Sequence, residues 1–387
     1  MRSNTYIMEL VELRYCKRGS VWFEKGFFLP VYAESSGGME VPMKIREALT
    51  REEVIQAIER KGGSKIPLVL HKWWGQGLYK KYGKALDEMA ADYPDDIFTA
   101  WHVTPGEQKS NTANPEYRWG YKADYSRAAK HSIGEKYELL PDWNELDQFI
   151  EKMPRPDEPG IFDAVEKSLV NANGRYRLGC FWCLFHERFW SIRGMENLMM
   201  DYYDHMDSLK ILGRCLLNYY RVIVDKYADL GFDGILTSDD LGHQTGPMMS
   251  PAVFRELYLP LYKEFIGYVH GKGMHVFLHS CGDNTKLMDY LIEAGLDVFH
   301  PIQAGCMDGK ETAERFGNRI SFLAGIDVQH LLPEGSVEEV RKGIRNMIDT
   351  LYKPEGGLLL AAGNGIMPDT PLENIEAMLQ EISAGKR

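Results

Sequence analysis

The residues that stand out for chemistry are His279-Ser280-Cys281-Gly282-Asp283, where an apolar run opens into a glycine turn. An imidazole and a thiolate two residues apart can converge on one ion, and both suit Zn²⁺. The plain alternative is a structural histidine beside a buried thiol. The spacing alone discriminates weakly between the two, and the position at a strand end carries most of the weight. A second feature is Asp239-Asp240, two adjacent carboxylates after the run GILTS. Asp240 is the candidate general base, with Asp239 as a ligand-orienting group; an Asx turn or a helix cap before SPAVF is the competing reading. Cys180-x-x-Cys183 is a second thiol pair, but away from a thioredoxin-like context it reads as core packing or pocket lining rather than redox chemistry.

These groups need a scaffold that gathers strand ends. Apolar runs at 66–70, 97–102, 177–182, 234–238, 274–279, 297–301, 320–325 and 357–362 alternate with helical patterns. Capping boxes mark three helix starts, at Thr50 with Glu53, Ser336 with Glu339, and Thr370-Pro371 with Glu373. Eight strands alternating with helices indicate an α/β protein with a (β/α)8 TIM barrel, whose active face lies at the C-terminal strand ends. His71, His102, His186, His243, His279, His300 and His330 fall at or just after those ends, seven of the 11 histidines. A doubly wound sheet would want a glycine-rich phosphate turn after its first strand, where this chain has the bulky IPLVLHKWWGQG.

Two stretches break the rhythm. Residues 1–45 have no clear period and end in a Ser/Gly cluster, so they are expected to be an N-terminal appendage, with Met39 or Met43 as conceivable internal starts; residues 46–387 form the barrel. The segment 104–175, between the second and third strand candidates, is Pro-rich and charged, and is expected to be a lid-like insertion at the barrel mouth.

Composition narrows the function classes. The 387 residues carry a net charge of −11, which removes the electrostatic drive for nucleic-acid binding. Six unevenly spaced cysteines make no disulfide framework. The sequence has neither a secretory leader pattern nor a run of apolar residues long enough to span a bilayer. The expectation is a cytoplasmic enzyme with a small-molecule substrate, no nucleic-acid or membrane partner, and an oligomeric state that no residue announces.

From about residue 44 onward the chain resembles a known family. The most specific stretches are GFDGILTSDDLGHQTGPMMSPAVFRELYLPLYK (231–263), HSCGD (279–283), LAGIDVQ (323–329) and GNGIMPDTPLENI (363–375). They resemble the uroporphyrinogen decarboxylase superfamily, and within it the cobamide-dependent methyltransferase branch. The resemblance implies a (β/α)8 barrel, a bound zinc, and a corrinoid carried by a separate protein. Decarboxylases of the family look like P-V-W-x-M-R-Q-A-G-R at the first strand, with two carboxylate-binding arginines. Lys72 and Gln76 stand in those places here, and losing both guanidinium forks disfavours that substrate.

The methyltransferase branch looks like H-x-C-G plus a cysteine in a later G-C-G turn, the three binding zinc. This chain keeps His279, Cys281 and Gly282 but reads Gly363-Asn364-Gly365 at the second place. Cys306 is the preferred replacement ligand, ahead of Asp240, Glu187 and His300. Lys72, Asp239, His243, Gln244 and Asn364 are the expected substrate contacts, with Asp240 as the catalytic carboxylate. The aromatic clusters Trp73-Trp74 and Tyr117, Trp119, Tyr121 suit a flat ligand or a corrinoid cap, although packing explains any one of them. The resemblance thus implies zinc-assisted, corrinoid-dependent methyl transfer; porphyrinogen decarboxylation and a catalytically silent binding barrel are the alternatives.

Overall fold

The computed structural model describes residues 46–62, 65–70, 73–102 and 139–384, together with a short antiparallel ribbon pairing Leu13–Tyr15 with Val21–Phe23. The remaining parts of the expected appendage and insertion, with Lys72, His71, Tyr117, Trp119 and Tyr121, lie outside the described residues.

Seven parallel strands follow in chain order: β1 Ile97–Trp101, β2 Tyr176–Cys180, β3 Gly234–Ser238, β4 His275–His279, β5 Val298–His300, β6 Ser321–Ile326 and β7 Leu358–Ala362. Each pairs with its sequence neighbour, so the sheet runs from β1 to β7 in chain order. Helices fill the connections, among them α1 Arg51–Ile58, α2 His186–Arg193, α3 Met206–Asp229, α4 Leu259–Gly271, α5 Val337–Leu351 and α6 Leu372–Ala384. No helix among the described residues is long and apolar enough to cross a membrane.

The expected strand at 66–70 bridges the two sheet edges without forming a regular strand. On the β7 side it makes one parallel bridge, Leu68 opposite Leu360: Val69 N–H donates to Leu360 O (3.0 Å) and Leu360 N–H to Pro67 O (2.8 Å). On the β1 side Asp96 N–H donates to Leu68 O (2.9 Å), but side chains complete the seam. Leu68 N–H donates to Asp96 Oδ2 (2.7 Å) and Leu70 N–H to Asp95 Oδ1 (2.8 Å). Carboxylates therefore take the amide protons that strand carbonyls would otherwise accept, and the curled sheet closes as a TIM barrel.

The strands are apolar on both faces because one face lines the barrel and the other meets helices. Every residue of β3, β6 and β7 is buried. On α3 the stripe Leu209, Leu212, Leu216, Tyr220, Ile223 and Tyr227 follows the helical period and faces the sheet. Tyr227 reaches across β2, and a side chain at Gly179 would collide with its ring, so glycine is required there. The capping boxes at Thr50/Glu53 and Ser336/Glu339 close reciprocally, as their spacing predicts. The buried stripe of α5, Val340, Ile344, Ile348 and Leu351, is worth about 1.5–3 kcal/mol per side chain relative to exposure.

Asp96 also fixes the chain entering the barrel. It is fully buried, accepts Leu49 N–H (2.6 Å) and pairs with Arg46. Burial raises its carboxyl despite Arg46 and the amide donors, which act the other way. Asp96→Ala would leave two buried amides and one guanidinium without their acceptor. A loss of about 3–5 kcal/mol is expected in urea unfolding; a change under about 1 kcal/mol would show that the carboxylate does not hold the seam.

Candidate metal centre

The C-terminal ends of β3, β4 and β5 build the site. Their register sets Ser238 beside His279 and His279 beside His300. After His279 the chain turns through Gly282, whose φ of +84° is in the left-handed region and whose α-carbon packs against Gly242 too closely for a side chain. That turn aims Cys281 back at the strand it left. The Cys281 amide donates to Asp240 Oδ1 (2.8 Å), which draws the carboxylate to the same point.

His279 Nε2 lies 3.3 Å from Cys281 Sγ and 3.7 Å from Asp240 Oδ1. One ligand atom from each of the three residues falls within 4.8 Å of the others. Tetrahedral zinc, with bonds of about 2.05 Å to nitrogen and oxygen and about 2.3 Å to sulfur, requires N···S separations of about 3.5 Å and N···O separations of about 3.4 Å. The donor set fits that ion. Burial pushes the Cys281 thiol well up, reinforced by Asp240 and Glu187, while the Asn364 amide pulls the other way. A divalent cation reverses this balance, since it favours thiolate over thiol.

Of the other residues singled out in the sequence, Asn364 is brought to the centre, but as a donor. Its Nδ2 faces Cys281 Sγ at 3.7 Å, and its Oδ1 accepts Gly365 N–H (2.7 Å), which turns the amide oxygen away from the sulfur. Cys306, expected as a ligand, lies outside the group of three. It sits in a turn where its amide donates to Gln303 O (3.1 Å), and burial with nearby Asp283 lifts its thiol. His300 is behind His279 rather than beside the donors, with the two Nδ1 atoms 2.7 Å apart.

Asp239, expected to touch substrate, does structural work. It is fully buried; Oδ2 accepts Phe185 N–H (3.1 Å), His186 N–H (3.0 Å) and Tyr262 O–H (2.7 Å), and Oδ1 accepts Glu187 N–H (2.7 Å). Its carboxylate caps α2 across the sheet, and burial still lifts its pKa to about 6. The helix that SPAVF begins is capped instead by Ser250, whose Oγ accepts Val253 N–H (3.2 Å). His243 and Gln244 are exposed on a ribbon, Gly242–His243 against Gly246–Pro247, at the rim rather than in the cluster. Cys180 is buried in β2 with its thiol donating to Leu178 O (3.4 Å), a packing role.

The sequence reading missed several contributors. Ser238 accepts Cys183 N–H (3.0 Å) and donates to Glu187, orienting a carboxyl whose pKa is raised well above normal by burial, then by Asp240 and Asp239. Gln303 Oε1 accepts Gly282 N–H (2.7 Å) and braces the turn. Trp73 stacks on His300 (4.6 Å, 15°), and Trp182 meets His279 edge-on (5.9 Å, 75°). Cys183 and Ile302, both with positive φ, flank the site. Trp73 as part of an aromatic pair, Cys183 as packing or pocket lining, and His300 as a strand-end histidine were visible in the sequence; Ser238, Gln303, Trp182 and Ile302 were not.

Comparison with known proteins adds a family context. The family model described as uroporphyrinogen decarboxylase (URO-D) matches residues 189–384, half of the chain. A methylated-thiol–coenzyme M methyltransferase of Methanosarcina mazei is 28% identical over 133 residues, 34% of this chain and 33% of that protein. The methylcobamide:CoM methyltransferase MtaA of Methanosarcina barkeri is 26% identical over 173 residues, 44% of this chain and 46% of that protein. The chain thus spans less than half the length of these relatives. A solved methyltransferase from Methanosarcina mazei superposes with a TM-score of 0.60 at 16% identity, over 87% of this chain and 99% of that one, and shares the fold.

The donor geometry predicts that His279→Ala and Cys281→Ala each abolish stoichiometric zinc binding in equilibrium dialysis, whereas Cys306→Ser leaves it unchanged. Retention of a full zinc equivalent by both alanine variants would dismiss this centre.

Proposed function

The chain belongs to the uroporphyrinogen decarboxylase family, and on that footing we propose that it is a zinc-assisted methyltransferase moving a methyl group between a small substrate or thiol and a corrinoid carried by a separate protein. The observation that carries this reading is the convergence of His279, Cys281 and Asp240 at the C-terminal end of the barrel, with His279 Nε2 at distances from the sulfur and the carboxylate close to those of a zinc site. Bound there, zinc would act as a Lewis acid toward the heteroatom that gives or receives the methyl group.

The chain's own residues supply the rest. His279, Cys281 and Asp240 would hold the ion, with Cys281 as its thiolate ligand. Asn364 donates to the sulfur and steadies it. Glu187, oriented by Ser238, keeps a second carboxyl close to Asp240, where it can carry the proton that an acceptor thiol loses or a leaving heteroatom gains. Trp73 and Trp182 wall the imidazole side and exclude water there.

The test is metal analysis joined to a methyl-transfer assay. Protein purified with zinc supplied should hold about one equivalent. With cob(I)alamin as a stand-in for the carrier, one of a panel of methylated amines, ethers and thiols should yield methylcobalamin, seen by its absorption. Chelation should stop the reaction and zinc restore it. Protein that takes up no zinc and forms no methylcobalamin from any donor would sink the proposal.

A further inference from the structure

His300 was weighed as a ligand, but its contacts assign it a different part. Its Nε2 is 3.0 Å from the carbonyl oxygen of Ala362, the last residue of β7. A carbonyl can only accept, so His300 Nε2 carries a proton. In a neutral imidazole the other nitrogen is then an acceptor, and His300 Nδ1 faces His279 Nδ1 at 2.7 Å. Were His279 Nδ1 also bare, two lone pairs would point at each other across that distance. His279 must therefore carry its proton on Nδ1, which leaves the Nε2 lone pair facing Cys281 Sγ and Asp240.

We propose that His300 is a positioning residue that locks His279 in the Nδ1–H tautomer and so aims the Nε2 lone pair at the metal centre. The chain of command runs from a backbone carbonyl on β7, through a ring on β5, to a ring on β4. Both imidazoles are buried, so water does not compete for these bonds. Trp73, stacked on His300, holds the plane of the ring. Orientation of a ligating histidine through its second nitrogen is a general device of metal sites, and here a second histidine performs it. The consequence for zinc rests on the function proposed above; the tautomer itself does not, because it can be read without any metal.

Nitrogen-15 NMR of histidine-labelled, metal-free protein at neutral pH gives the direct test, with the two rings assigned through His279→Ala and His300→Phe. The expected signature is a protonated Nδ1 and a bare Nε2 on His279, with the reverse on His300. An Nε2–H tautomer or an imidazolium at His279 would overturn the proposal. Zinc affinity, measured by competition with a chromophoric chelator, is the second readout. His300→Phe keeps a ring on Trp73 but has no polar atom, and should bind zinc about 10–100-fold more weakly. His300→Gln, whose amide offers one donor and one acceptor, should lose less. Wild-type affinity in His300→Phe would also overturn the proposal. If the wild-type protein takes up no zinc, the functional reading fails, while the NMR result still decides the tautomer; if His300→Phe does not fold, the wild-type spectrum and His300→Gln decide it.

Discussion

Parallel pairing of β3, β4 and β5 in one register puts Ser238, His279 and His300 abreast at the barrel's C-terminal edge, and the centre depends on that alignment. Strand neighbours sit about 4.8 Å apart, which is within one hydrogen bond's reach for imidazoles on adjacent strands. The same spacing lets the Gly282 turn return Cys281 to His279 and lets Asp240, just past β3, accept the Cys281 amide. Closure of the barrel through residues 66–70 then brings Trp73 against His300 and sets β7 opposite it, with Ala362 in bonding distance.

The centre is also an electrostatic compromise. Asp239, Asp240, Glu187 and Cys281 crowd one buried region, and burial works against charging each carboxyl or thiol for which a shift is seen. Asp239 is satisfied by four protein donors and turns its charge to fold stability, by capping α2. Asp240 has one backbone donor and remains half-buried beside the imidazole and the thiol. Adjacent residues with identical side chains thus serve opposite ends, because successive side chains at a strand's end point to opposite sides. A cation at the centre would relieve the crowding that the protein alone leaves in place.

The chain departs from the pattern it resembles at Asn364, and the structure gives that departure a physical form. The amide oxygen is occupied by the neighbouring Gly365 N–H and the amide nitrogen faces sulfur, so the residue backs the Cys281 thiol and turns its oxygen away from the centre. A carboxylate oxygen from Asp240 occupies the neighbourhood in which a soft ligand was expected, and the donor set becomes one nitrogen, one sulfur and one oxygen. Such a set is harder than one with two thiolates.

What the sequence determined by itself was local in origin. Seven of the eight expected strands appear within two residues of their apolar runs, and two capping boxes close as their spacing requires, because strand period and cap chemistry need only near neighbours. His279 and Cys281 were legible for the same reason: two residues and a glycine turn suffice to bring them together. Tertiary structure alone decided that Asp240 rather than Cys306 joins them, that Asp239 faces the helix layer and caps a helix that follows another strand, and that His300 stands behind His279. Those outcomes depend on which strands lie side by side, in what register, and on which face each side chain emerges. Such relations join residues 21 to more than 50 positions apart, and no local pattern encodes them.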